Sequence, residues 1–261
     1  MKQEFLPYLT VTPADDARAK SYPFRTAHLA YKVSALHLMR GRLASNTRGG
    51  MMVVSDIDVG PAEGTFGALA NEIYNECIRH GFEGIVLDFE TKPTSTTSPF
   101  ARRLCEELTP KKLPVYVPYL YAVFCPDARY TLSTAISGGS LREHLEQMIE
   151  IHGVSKLALE VERICMDFPM PSPTPEGKRL SRKELAAIFE NTEAQSFYSP
   201  EMCCNYFTYS DPLGQAHFVL FDDARSITDK LQLARSLGLA IQFLLFPEVE
   251  DILPEITSYQ A

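Results

Sequence analysis

The chain has 261 residues, 45% hydrophobic and 22% charged, with a formal net charge of −8 at neutral pH. That length can bury a large core in one large domain or two small ones. The acidic balance, with no Lys/Arg block and no basic stripe interleaved with aromatics, argues against nucleic acid or an anionic membrane as the main partner.

The opening residues MKQEFLPYLTVTPADDARAK lack the apolar run of a signal peptide, and no stretch approaches membrane-spanning length, so the expectation is a cytoplasmic protein. Three strand candidates follow in order: FLPYLTV, TAHLAYKVSALHL and GMMVVSD. The connections between them are too short for full helices. Asp56 and Asp58 end the third strand and are candidates for a site.

From Phe66 a helix carries Leu69, Ala70, Ile73, Tyr74, Cys77 and Ile78 on one face, stops at Gly81 and feeds GIVLDFE. Side chains alternate along a strand, so Asp88 and Glu90 face one way and Leu87 and Phe89 the other. Ser98-Pro99 starts the next helix before PVYVPYLY. ISGGSL leads into a capping box, Ser140-x-x-Glu143, and a helix that stops at Gly153 before LALEVERICMDF. Glu160, Glu162 and Arg163 in that run read as an ion pair in or above the sheet.

The Pro-rich tract Pro169–Ser181 reads as a long loop, and Ser181-x-x-Glu184 opens a helix before one strand candidate, EMCCNYFTY with the partly hairpinned HFVLFDD. Asp222–Asp223 read as the cap of a last helix, which carries Ile227, Leu231, Ala234 and Leu237 and stops at Gly238 before AIQFLLFPE. Strands alternating with helices imply parallel strands with helices outside. Eight strand candidates in a chain of this length imply a single α/β domain over residues 1–261, a (β/α)8 TIM barrel with some short or missing helices in its first units. The alternative is an open doubly wound sheet, weakened by the absence of G-x-G-x-x-G and Walker A patterns. The six cysteines form no CxxC pair and the six histidines are scattered, so no metal ligand set and no cofactor is implied.

FEGIVLDFE resembles the D-G-x-D-x-D-x-E signature on the fourth strand of family 18 glycoside hydrolases, the chitinase-like (β/α)8 barrels. By this resemblance Glu83-Gly84 stand at D-G, Val86 at the next Asp, Asp88 at the third Asp and Glu90 at the catalytic acid. The segment FVLFDDARSITDKLQLARSLGLAIQFLLFPE is similar to the family's final strand–helix–strand, with Phe246 nearest the position of a Trp under the sugar. ICMDF is similar to the family's sixth-strand Met-x-Tyr-Asp, with Met166 in the place of the Tyr and Asp167 in that of the Asp.

The resemblance implies hydrolysis of β-linked N-acetylglucosamine glycans, chitooligosaccharide or peptidoglycan fragments, with the substrate's acetamido oxygen as nucleophile. Glu90 would then be the acid, with Asp88 holding the acetamido N–H. Asp167, Met166, Tyr119, Tyr121, Tyr206, Phe246 and Asp56 are the expected substrate-binding set, and a hydroxyl from Tyr119, Tyr121, Tyr206 or Tyr209 could replace the missing phenol. The departures at Val86 and Met166 leave open a catalytically weak barrel that binds a glycan or a protein. A third reading is a barrel whose strand-end carboxylates, Asp56, Asp88, Glu90 and Glu160, hold a divalent metal.

Overall fold

The computed structural model of the chain describes residues 7–43, 47–56, 61–171 and 177–260, except the side chains of 258–260. Asp58 lies outside the described residues, as does the middle of the Pro169–Ser181 tract. Strand β1 (Tyr8–Val11) leads through one helical turn, α1 (Asp16–Ala19), to β2 (Arg25–Val33), which folds back on a short antiparallel β3 (Leu38–Arg40). Then come β4 (Met51–Ser55), α2 (Phe66–His80), β5 (Gly84–Asp88), α3 (Thr97–Leu108) and β6 (Val115–Pro118). A 3-10 turn at Tyr119–Tyr121 precedes β7 (Arg129–Ser133), α4 (Leu141–His152) and β8 (Leu157–Glu160).

The chain next builds β9 (Cys165–Met170), β10 (Lys178–Arg179), α5 (Arg182–Asn191), β11 (Phe197–Ser199), β12 (Cys204–Ser210) and β13 (Ala216–Phe221). It closes with α6 (Ala224–Ser236), β14 (Gln242–Leu245), α7 (Phe246–Val249) and α8 (Leu253–Gln260).

Eight strands pair in parallel around a closed ring, in the order β1-β2-β4-β5-β6-β7-β8-β14 and back to β1. This is the (β/α)8 barrel, and GIVLDFE is its fourth strand. Two of the eight strand candidates are corrected. EMCCNYFTY and HFVLFDD form the antiparallel pair β12–β13 in a second, five-stranded sheet ordered β10-β9-β13-β12-β11. The barrel's sixth strand is β7, RYTLS. LALEVERICMDF, expected as one strand, is two: LALE is the seventh barrel strand, while CMDFPM starts the second sheet.

The break between them has a tertiary cause. The Glu162 N–H donates to the Thr134 hydroxyl at 3.2 Å and the Ile164 N–H to the Asp222 carboxylate at 2.8 Å, which turns the chain off the barrel. PVYVPYLY likewise ends as a strand at Pro118, a residue with no N–H for a ladder.

Period-two alternation divides the barrel side chains between two cores. Tyr8, Ala27, Met51, Val53, Val86, Tyr116, Ala158 and Phe243 fill its interior. Leu69, Ile73, Cys77, Leu87, Phe89, Phe100 and Leu104 belong to the layer between strands and helices. Gly84 is obligatory in this packing, because a Cβ there would lie 3.0 Å from Pro114 and 3.1 Å from Met51. Gly81 ends α2 in the left-handed region (φ 63°), as its position after the apolar periodicity implies. Ile78, expected on the buried face of α2, is exposed. Of the two expected capping boxes, Ser181 with Glu184 on α5 is complete, while on α4 the Ser140 hydroxyl accepts the Glu143 N–H without the reciprocal bond; Asp223 caps α6 as expected, in a box with Ser226. No helix among the described residues is long and apolar enough to cross a membrane.

Candidate active site

The fourth strand delivers its carboxylates to the mouth of the barrel. Val86 is buried in the interior floor, Asp88 is half-buried above it, and Glu90 is exposed just beyond the strand end. Phe89 points outward, ring to ring with Phe100 at 6.3 Å and Tyr121 at 5.7 Å, and pins the segment to the outer core. Asp56, at the end of β4, takes the Glu90 N–H at 3.2 Å and the Thr91 hydroxyl. Tyr121 donates to Thr97 Oγ1 at 3.0 Å and to the Thr91 carbonyl at 3.3 Å. The backbone that carries Glu90 is therefore held from two sides.

Above the apolar floor lies a cleft of about 370 Å³. Asp88, Glu90, Glu160, Glu162 and Glu248 line it together with Arg179, Thr10, Thr131, Phe243 and Leu245. Two of these acids are engaged: Glu162 accepts from the Ser133 hydroxyl, and Glu248 is paired with Arg179. Among the described residues the carboxyls of Asp88, Glu90 and Glu160 take neither a hydrogen bond nor an ion pair. Asp88 is half-buried, whereas Glu160 is exposed toward the open end of the cleft; walls that displace water and neighbouring acids without a counter-charge both favour the neutral form. Burial, then the charges of Glu90 and Asp56, push Asp88 up to about 6. Burial, then Glu162, Asp88, Glu248 and Glu90, push Glu160 up to about 7. Titratable carboxyls coupled to one another in a cleft are a recurring mark of acid–base sites.

The structure brings Asp88 and Glu90 together in the cleft, and the other expected residues fall elsewhere. Tyr121 and Asp56 lie behind the Glu90 segment. Tyr119 sits on the barrel flank, with its hydroxyl 3.2 Å from His152 Nε2. Phe246 is fully buried at the start of α7 near Tyr22, and β14 instead turns Phe243 and Leu245 to the cleft. Met166 and Asp167 are not on the sixth barrel strand but on β9, because the chain has already left the barrel there. Asp167 takes the Tyr209 hydroxyl at 3.0 Å and His217 Nδ1 at 2.9 Å, away from the cleft. Among the described residues no tyrosine lines the cleft.

Tyr206 and Met166 have a different relation to the site. Arg179, Met166, Leu220, Tyr206 and Phe197 stand in register across β10, β9, β13, β12 and β11, on one face of the second sheet. Arg179 at one end of this row lines the cleft, so the face continues from it. Tyr206 lies between Phe197 and Phe218, with ring centroids 5.7 Å from each. Asp222 is buried in an ion pair with Lys230, 2.6 Å away, and Asp223 caps α6.

Glu162, Arg179 and Glu248 were not among the expected site residues, and Glu160 was expected only as a ligand in the metal reading. Glu160 did carry a signal: LALE, like VLD, is an apolar run that ends in an acid at the carboxyl end of a barrel strand.

Solved structures share this architecture. A chitinase from Chromobacterium violaceum ATCC 12472 superposes with a TM-score of 0.70 at 17% identity, over 99% of this chain and 99% of that one. A glycoside hydrolase family 18 N-acetylglucosaminidase from Paenibacillus barengoltzii gives 0.68 at 11% identity, over 98% of this chain and 99% of that one. The spore cortex-lytic enzyme SleL of Bacillus megaterium QM B1551 gives 0.62 at 19% identity, over 93% of this chain and 70% of that one. No sequence-family model and no curated protein sequence matches the chain. At these identities the likeness is one of fold.

Proposed function

We propose that the chain is a glycoside hydrolase of the family 18 type, acting on β-linked N-acetylglucosamine glycans such as chitooligosaccharide or peptidoglycan fragments. The observation that carries this reading is the set of three unpartnered carboxyls, Asp88, Glu90 and Glu160, around one cleft at the carboxyl ends of the fourth and seventh barrel strands.

Glu90 gives its proton to the glycosidic oxygen as the bond to the anomeric carbon breaks. The substrate's own acetamido oxygen closes on that carbon, and a cyclic oxazolinium forms. Asp88 accepts the acetamido N–H and steadies the positive charge that develops there. The Glu90 carboxylate then takes a proton from water, whose oxygen attacks the anomeric carbon and reopens the ring with retention of configuration. Asp56 and Tyr121 act as positioning residues for the Glu90 segment. Phe243 and Leu245 form the apolar wall of the sugar site, and Met166 and Tyr206 extend it along the second sheet. Asp167 orders His217 and Tyr209 beneath that face.

Release of reducing ends from N-acetylchitooligosaccharides and muropeptides tests the reading. The parent turns over at least one of them, and Glu90→Gln loses about 100-fold or more in kcat. Equal turnover by the two proteins would remove the reading.

One observation supports a second reading, a glycan-binding barrel of low turnover. Val86 packs into the apolar floor beneath Asp88, and among the described residues no phenol lines the cleft to hold the acetamido oxygen. The metal reading has less support, because among the described residues no three His, Cys, Asp or Glu side chains group as a cation site.

A further inference from the structure

We propose that Glu160 is a third working carboxyl of this site, which keeps its proton and donates a hydrogen bond to the acetamido oxygen of the bound sugar. The inference rests on the glycosidase reading and adds to it a residue from another strand.

Its first support is position. Glu160 ends β8 and reaches the cleft from across the barrel, with β6 and β7 between it and the Asp88 strand. Its β14 neighbour in register is Phe243, which belongs to the apolar interior, and its β7 neighbour is Ser133. The second support is that nothing else uses it. Ser133 is taken by Glu162, and Arg179 is taken by Glu248. Arg163, three residues on, turns away to Asp251 at 2.7 Å and to the Glu248 carbonyl at 2.9 Å.

The charged groups that face Glu160 are therefore Glu162 from its own segment, Asp88 and Glu90 from β5, and Glu248 from α7, with Arg179 neutralised by Glu248. An acid so surrounded is most stable neutral, and a neutral carboxyl is a donor. Of the other side-chain donors lining the cleft, the Thr131 hydroxyl is directed to the Val117 carbonyl and Arg179 to Glu248, while the Thr10 hydroxyl stands on β1, beyond β14 from Glu160. A carbonyl oxygen is the substrate group that accepts such a bond, and the bond fixes where that oxygen sits in the bound sugar. No bond is made or broken at Glu160, and its proton stays where it is. Asp88 takes the acetamido N–H and Glu160 serves the acetamido oxygen, so the two walls divide one amide between them. The site weakens as pH rises through about 7, where Glu160 loses its proton.

The test measures the affinity of N-acetylchitotetraose by calorimetry in a Glu90→Gln background, which removes turnover, with Glu160 intact, Glu160→Gln or Glu160→Ala. With Glu160 intact, affinity falls about tenfold or more between about pH 6 and pH 8.5, as expected for loss of a donor that titrates near 7. Glu160→Gln keeps an N–H donor that does not titrate, so its affinity does not fall across that range and rises no more than about twofold as Asp88 finishes ionising, and Glu160→Ala is weak throughout. Thermal melts check that all three proteins are folded.

The same pH dependence with and without Glu160, or undiminished binding by Glu160→Ala, overturns the proposal and leaves the glycosidase reading standing. If the protein with Glu160 intact shows no binding at any pH, and the parent no turnover, both fall together.

Discussion

Asp88 and Glu160 have in common a place where an apolar barrel floor meets water, and that place sets their protonation. Their pKa values lie above those of unfolded carboxylates, at about 6 and about 7. The folded chain therefore binds protons that the unfolded chain has released, and stability falls as pH rises from about 4 through about 7. Asp88→Asn and Glu160→Gln remove this penalty. Each raises Tm relative to the parent at about pH 8 and gives no gain at about pH 4. A shift of equal size at both pH values would contradict the assignment.

Asp56 acts in the opposite sense, through the bonds it accepts. Asp56→Ala leaves the Glu90 N–H and the Thr91 hydroxyl without their acceptor, at a cost of ~1–3 kcal/mol in chemical denaturation. It also lowers kcat on any substrate the parent hydrolyses, because Glu90 is no longer held. Of these residues the Asp88/Glu90 pair is legible in the sequence, because strand alternation is a local rule. Glu160 is legible only as a strand-end carboxylate of the metal reading, because Glu162 and Arg163 beside it suggest an ion pair. Only the tertiary structure shows Arg163 turned to Asp251 and Glu160 left alone.

Elements were legible wherever one local signal sufficed. Gly81 stops α2, and the capping boxes start α5 and α6. Strand β7 was missed because the connection from β6 holds only a 3-10 turn, where a crossover between parallel strands usually holds a helix. The split of LALEVERICMDF was missed because its apolar pattern continues through the break, and the bonds that make the break come from Thr134 and Asp222, distant in sequence.

Asp222 also shows how the second sheet is tied to α6. Its carboxylate takes the Ile164 N–H, the Ser226 hydroxyl and the fully buried Lys230 ammonium, which reaches the Glu162 carbonyl as well. Lys230→Ala leaves a buried carboxylate short of its counter-charge and costs ~3–5 kcal/mol in urea denaturation. A loss within about 0.5 kcal/mol, as at an ordinary surface site, would show that the pair does not carry the junction.

At the scale of the molecule, eight parallel strands close one ring while a five-stranded antiparallel sheet hangs between the seventh strand and the eighth. Its junction is made of buried bonds rather than a linker, so barrel and sheet are expected to unfold as one unit. Calorimetry should give one transition with a van't Hoff enthalpy close to the measured one, and two separated transitions would contradict this. The number of strands and the barrel class were legible in the sequence. The membership of the ring was not, since strand pairing depends on contacts between distant segments. The second sheet nevertheless matters to the site, because its Arg179 lines the cleft and its Met166–Tyr206 face continues from there.

The central claim is that Glu90 acts as the proton donor of a retaining hydrolysis in this cleft. Time-resolved NMR of the first anomer released from N-acetylchitotetraose tests it most directly. The parent should release the β anomer first, and Glu90→Gln should release none on the same timescale. Release of the α anomer first, or unchanged release by Glu90→Gln, would contradict the claim.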